Sequence, residues 1–187
     1  MMMETARQRI ERCEAAVTAS PDSAAAHFNL GLAYGSMGRP QSAAKEYSRA
    51  VELDPDLAEA WVNLGGARLL MWDFEGCLEA ARQAVERQPS SPVAHFNMGQ
   101  AYLYLGNAEQ LVDCNRRVVE LEPRNGAAHY YLAVGLLATH ELDEARKELN
   151  LALRLGHRPT PEFLRALERA EAQGDACDGV ATLEVGG

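Results

Sequence analysis

The stretch Ala60-Trp61-Val62-Asn63-Leu64-Gly65 decides the fold, because the chain writes it four times. It stands upstream as Ala26-His27-Phe28-Asn29-Leu30-Gly31 and downstream as Ala94-His95-Phe96-Asn97-Met98-Gly99. A worn copy, Ala128-His129-Tyr130-Tyr131-Leu132-Ala133, completes the series. The step is 34 residues each time, without insertion or deletion. A fixed period of this size means one supersecondary unit stacked on copies of itself, since a single unit cannot bury its apolar face alone.

Within a period, Trp61, Leu64, Gly65 and Arg68 follow an i, i+3, i+4, i+7 spacing, so the first part of each unit is a helix. Gly31, Gly65 and Gly99 remove a side chain where two helices are expected to approach closely. Met37-Gly38-Arg39 and Leu105-Gly106-Asn107 supply the left-handed residue that ends such a helix. A second helix then runs to a boundary proline, which is Pro21, Pro55, Pro89 or Pro123. Short turns make the two helices antiparallel neighbours. In the second unit Trp72 stands where the turn glycine belongs. The turn is expected to adjust around it and lay the ring over a neighbour, or else Trp72 anchors a partner.

Leu30-Gly31-x-x-Tyr34…Ala43-x-x-x-Tyr47…Pro55 and Trp61-x-x-Leu64-Gly65 resemble the tetratricopeptide repeat (TPR) pattern. That resemblance implies an all-α protein, a right-handed α-solenoid of four helix-turn-helix repeats with capping helices. The expected boundaries are 24–57, 58–91, 92–125 and 126–159. A half-repeat cap fills 1–23, and a C-terminal capping helix fills 160–174. That helix opens at Thr160-Pro161-Glu162 and turns Phe163, Leu164 and Leu167 inward. Gly174 is expected to end it, with a disordered tail over 175–187.

Composition limits the function classes. The net charge is -9, which argues against a partner gripped through phosphates, so no nucleic acid is expected. No apolar run reaches the ~18 residues that span a membrane, and the N-terminus lacks a signal peptide's apolar centre. A cytoplasmic protein without a membrane partner is expected. Cys13, Cys77, Cys114 and Cys177 lack close pairing, so they are read as structural or incidental thiols. His27, His95 and His129 share the packing phase of Trp61. Equivalent helices lie about 8–10 Å apart, too far for one metal with ligands at about 2 Å, so no metal and no cofactor are expected. No acid–base pair, nucleophile elbow or phosphate-cradling loop appears, and a non-catalytic role is expected.

The candidate site lies on the opposite side of the first helices. It comprises Phe28, Asn29 and Leu32, then Val62 and Asn63, then Phe96, Asn97, Gln100 and Tyr104, and finally Tyr130 and Tyr131. In TPR proteins this side lines a concave groove for extended peptides. Asn29, Asn63 and Asn97 share one phase although Asn is a poor mid-helix residue. An amide that both donates and accepts suits a peptide backbone of any sequence. The series resembles the asparagine ladder of O-linked N-acetylglucosamine transferases, without their catalytic domain. The other reading makes the three residues relics of duplication. The clamp by which TPR co-chaperones grip a Glu-Glu-Val-Asp tail is matched only at Asn63, so no such tail is expected. The leading function is an adaptor or scaffold holding a protein or extended peptide segment in its groove. The alternative is a structural subunit docked through its convex face or end caps.

Overall fold

A computed structural model describes the backbone of residues 5–183 and the side chains of residues 5–173. Among the described residues there are ten helices and no strand. They are α1 (Ala6–Ala19), α2 (Ala24–Ser36), α3 (Pro40–Leu53), α4 (Ala58–Leu70) and α5 (Phe74–Arg87). They continue as α6 (Pro92–Tyr104), α7 (Ala108–Leu121), α8 (Gly126–Ala138), α9 (Leu142–Arg154) and α10 (Pro161–Leu183). The chain divides into two compact units, Met1–Leu105 with α1 to α6 and Gly106–Gly187 with α7 to α10. The division falls inside the third 34-residue period.

In the first unit α2 pairs with α3 and α4 with α5, while α4 also packs on α6 and α1 covers α2. The second helices α3 and α5 are strongly amphipathic, whereas in α2 and α4 apolar residues are spread around the helix without a single polar face. The difference follows from position, since a first helix touches its own partner and the neighbouring repeats, and a second helix keeps one face in water. Ala43, Tyr47, Ala50, Leu64 and Ala80 form one continuous buried core across repeats 1 and 2.

The internal turns of repeats 1, 2 and 4 share one hydrogen-bond geometry whatever residue they contain. Arg39 N donates to Tyr34 O, Asp73 N to Arg68 O and Glu141 N to Leu136 O, at 3.1, 3.0 and 2.8 Å. These are the six-to-one bonds of a Schellman cap, and they require a left-handed residue just before. Gly38 and Gly106 take that position at φ 66 and 74, but so do Trp72 at φ 63 and His140 at φ 64. The turn therefore does not adjust around Trp72. The hydrogen-bond pattern holds, and the residue adopts the unfavourable backbone.

Close approach at the repeat glycines is uneven. A Cβ on Gly31 would lie 2.5 Å from Cε1 of Tyr47. On Gly65 its nearest neighbours would be Cys77 O at 3.5 Å and Ala81 N at 3.6 Å, ordinary contacts, because Ala81 stands where repeat 1 has Tyr47. The expected close contact thus holds at Gly31 and not at Gly65. Gly31→Ala should lower stability by about 1–3 kcal/mol through overpacking. Gly65→Ala should be neutral or gain up to about 1 kcal/mol of helix propensity. Urea unfolding of both variants at constant slope checks the contrast.

In the second unit, α10 lies on α8 and α9. Phe163 and Leu167 are buried in one cluster with Leu132, Leu136, Leu149 and Ala152, and Leu164 packs beside it. Thr160 caps the helix through its Oγ1, and Arg146 of α9 pairs with Glu171, whose carboxyl it holds below the usual range. The helix continues through Gly174 to Leu183. Glycine weakens a helix by about 1 kcal/mol but does not by itself end one, so the stop expected at Gly174 falls later. Residues 184–187 of the expected tail lie outside the described residues. Deleting the chain after Arg158 should expose Leu149 and Leu136 to water and cause self-association, measurable by sedimentation velocity. A monomeric truncation as stable as the full chain would contradict the capping role.

Candidate functional site

Each first helix carries one outward-bonded residue. Trp61 Nε1–H donates to Pro55 O at 2.8 Å. The Nε2 atoms of His27, His95 and His129 stand at 2.9, 3.0 and 3.0 Å from Pro21 O, Pro89 O and Pro123 O. A carbonyl can only accept, so Nε2 carries hydrogen in all three histidines. In repeats 1 and 4 the other ring nitrogen meets a carboxylate, Glu46 at 2.7 Å and Glu148 at 2.5 Å. Repeat 2 has Ala80 at that phase, which leaves room for the larger indole. The histidines therefore hold the inter-repeat turn. A sequence signal for this existed in the recurring His and Glu nineteen positions apart.

The three asparagines divide. Asn97 is buried, and its Nδ2 donates to Val62 O at 3.2 Å, tying α6 to α4. Asn63 is half-buried and donates from Nδ2 to Glu59 O at 2.7 Å in its own helix. Asn29 is exposed. Asn29 and Leu32 line a cavity of about 460 Å³ together with Arg9, Arg12, Cys13 and Ala26. Val62, Asn63 and Asn97 line a second cavity of about 240 Å³, with Gly66, Leu70 and Val93. Its far wall is Tyr47 and Pro40 of α3. Leu70 and Val93 are exposed apolar residues that the sequence reading left out of the site.

The remaining candidates scatter. Phe28 leans on Tyr47 with ring centroids 5.9 Å apart, and Phe96 and Gln100 are half-buried. Tyr104 stands exposed in a ring cluster with Phe74 and Trp72. In the second unit Tyr131 is half-buried. Tyr130 is buried under the C-terminal segment, stacked on His157 at 4.6 Å and edge-on to Phe163 at 5.3 Å. Tyr130 therefore serves the cap and is not open to a ligand on that face.

Burial pushes the Cys77 thiol up to about 11 and the Cys114 thiol up to about 12. Both are protonated at neutral pH and inert as nucleophiles. At pH 8 their thiolate fractions are roughly one in a thousand and one in ten thousand. Neither residue should take up iodoacetamide in the native state, and both should react in guanidinium, as read by peptide mapping. An unfolded thiol ionises near 9.0, so the folded state loses this contribution as pH rises from there through 11 to 12.

Sequence-family models for the tetratricopeptide repeat match residues 24–57 and 96–158. The chain belongs to the TPR family and is built as a protein-interaction scaffold. No curated protein matches it in overall sequence. Solved structures with the same fold include MamA, with a TM-score of 0.75 at 20 % identity over 83 % of this chain and 96 % of that one. PilF of Pseudomonas aeruginosa superposes with a TM-score of 0.73 at 21 % identity, over 94 % of this chain and 82 % of its own. YrrB, described as a TPR protein with an unusual peptide-binding site, gives 0.72 at 17 % identity over 89 % and 84 %. No helix among the described residues is long and apolar enough to cross a membrane.

Proposed function

We propose that this chain is a non-catalytic, cytoplasmic scaffold that holds an extended peptide segment along the first helices of its first unit. Asn29 and Asn63 contact the ligand backbone, and Leu32, Val62, Leu70 and Val93 meet its side chains. Phe28, Phe96 and Gln100 flank that surface. One observation carries the reading. All three amides repeated in phase line cavities, but only Asn97 is committed to a neighbouring helix; Asn63 donates within its own helix, and Asn29 is exposed. Duplication alone gives no reason for that division, and a backbone-reading site does. The peptide-binding site described for YrrB supports the same use of this fold. Three buried unpaired thiols, Cys13, Cys77 and Cys114, suit a reducing compartment.

The test is capture of partners from native lysate by the intact chain and by Asn29→Ala/Asn63→Ala, followed by affinity for the captured segment. At about 0.5–1.5 kcal/mol for each lost hydrogen bond, binding should weaken roughly five- to a hundredfold. Stability should not fall, since alanine is the better helix former. Asn97→Ala should instead lower stability by about 1 kcal/mol. Unchanged affinity in the double variant would make the asparagines relics of duplication.

A further inference from the structure

At the internal turn the left-handed position holds Gly38 in repeat 1 and Gly106 in repeat 3, but Trp72 in repeat 2 and His140 in repeat 4, and of these Trp72 is the bulkiest. Such a backbone is unfavourable for any residue with a Cβ and rare for a bulky one. Burial could offset that cost, yet Trp72 is 70 % exposed. Its ring meets Phe74 and Tyr104 edge-on at 5.9 and 5.3 Å, and those two rings stack on each other at 4.7 Å. Tyr104 is itself 54 % exposed, and the adjoining Leu70 and Met71 are exposed as well. The fold accommodates this aromatic surface without requiring it.

The turn of repeat 2 is acidic, reading Trp72-Asp73-Phe74-Glu75 where repeat 1 reads Gly38-Arg39-Pro40-Gln41; repeat 3 carries one acid at the same phase, Glu109, and repeat 4 carries two, Glu141 and Asp143. Asp73 caps α5 and lies 3.8 Å from the Arg68 guanidinium, so the open charge at the surface is that of Glu75. Arg68 is held down by its bond to Gly76 O at 2.9 Å. An exposed indole three residues before an exposed acid is complementary to a guanidinium, which is cationic, planar and weakly hydrated. The chain already contains that pairing, with the Arg87 guanidinium 5.5 Å from the centroid of Trp61.

We infer that the surface of Trp72, Tyr104 and Glu75 is a docking site for an arginine-bearing segment of a protein partner. The guanidinium stacks on the indole of Trp72, and an apolar side chain beside it rests on Met71. The site is distinct from Asn29 and Asn63 and does not depend on whether those residues bind a peptide.

The probe is acetyl-Leu-Arg-Leu-Arg-Leu-amide, compared with the same peptide carrying glutamate in place of arginine. Binding to the full chain is read on the two indole N–H signals by NMR. The arginine peptide should shift Trp72 and leave Trp61 in place, with at least fivefold higher affinity than the glutamate peptide. Trp72→Gly installs the residue of repeats 1 and 3, so its melting temperature should hold or rise while that affinity falls at least fivefold. Asn29→Ala/Asn63→Ala should leave the affinity unchanged. A Trp72→Gly chain that melts well below the parent would make Trp72 a structural residue and overturn the proposal. Equal binding of the two peptides, or no response of the Trp72 signal, would overturn it as well.

Discussion

The hydrogen bond from a first-helix ring N–H to the carbonyl of the boundary proline underlies the architecture. Proline offers an acceptor and no donor, and its carbonyl sits in a tight turn beyond the end of a helix. Left without a partner when buried, such a group would cost about 1–3 kcal/mol. Trp61, His27, His95 and His129 each reach back six residues to satisfy it. In repeat 2 the Arg87 Nε also donates to Pro55 O while its guanidinium covers Trp61. A bond of fixed reach at the start of every repeat fixes the six residues from boundary proline to ring, and that segment tolerates neither insertion nor deletion.

With that ring turned toward the proline, the rest of the first helix follows. Leu64 joins the core shared with α3, Gly65 faces the backbone of α5, and Asn63 lines a cavity on another side. The spread of apolar residues around α2 and α4 is then a consequence of neighbours on several sides. Polar residues that remain there need a reason. Asn97 has one inside the fold, and for Asn29 and Asn63 the proposed ligand provides it. Trp72 poses the same question at the turn, where strain and exposure coincide.

The period, the helix pairs, Thr160 as the cap of α10 and the inward face of α10 were legible in the sequence, because each follows from local spacing. Leu164 and Leu167 were placed correctly by period alone. What spacing could not give was the choice between competing partners. Asn63 and Asn97 are equivalent by phase, yet one bonds within its helix and the other across to α4, which depends on what packs opposite. Gly31 and Gly65 are equivalent too, but Tyr47 against Ala81 makes one contact tight and the other loose. Tyr130 looked like groove and became core because the C-terminal segment folds over it. Trp72 was expected to bend its turn, whereas the Schellman bonds proved stronger than the side chain's preference.

The most direct measurement is ¹⁵N NMR of the side-chain rings at neutral pH, with hydrogen-bond couplings to ¹³C-labelled carbonyls. Nε2 of His27, His95 and His129 should each carry a slowly exchanging hydrogen coupled to the carbonyl of Pro21, Pro89 or Pro123. The Trp61 indole should couple to Pro55 in the same way. A bare Nε2 on His95, together with fast exchange of the Trp61 indole hydrogen, would show that the repeats are not closed by this bond.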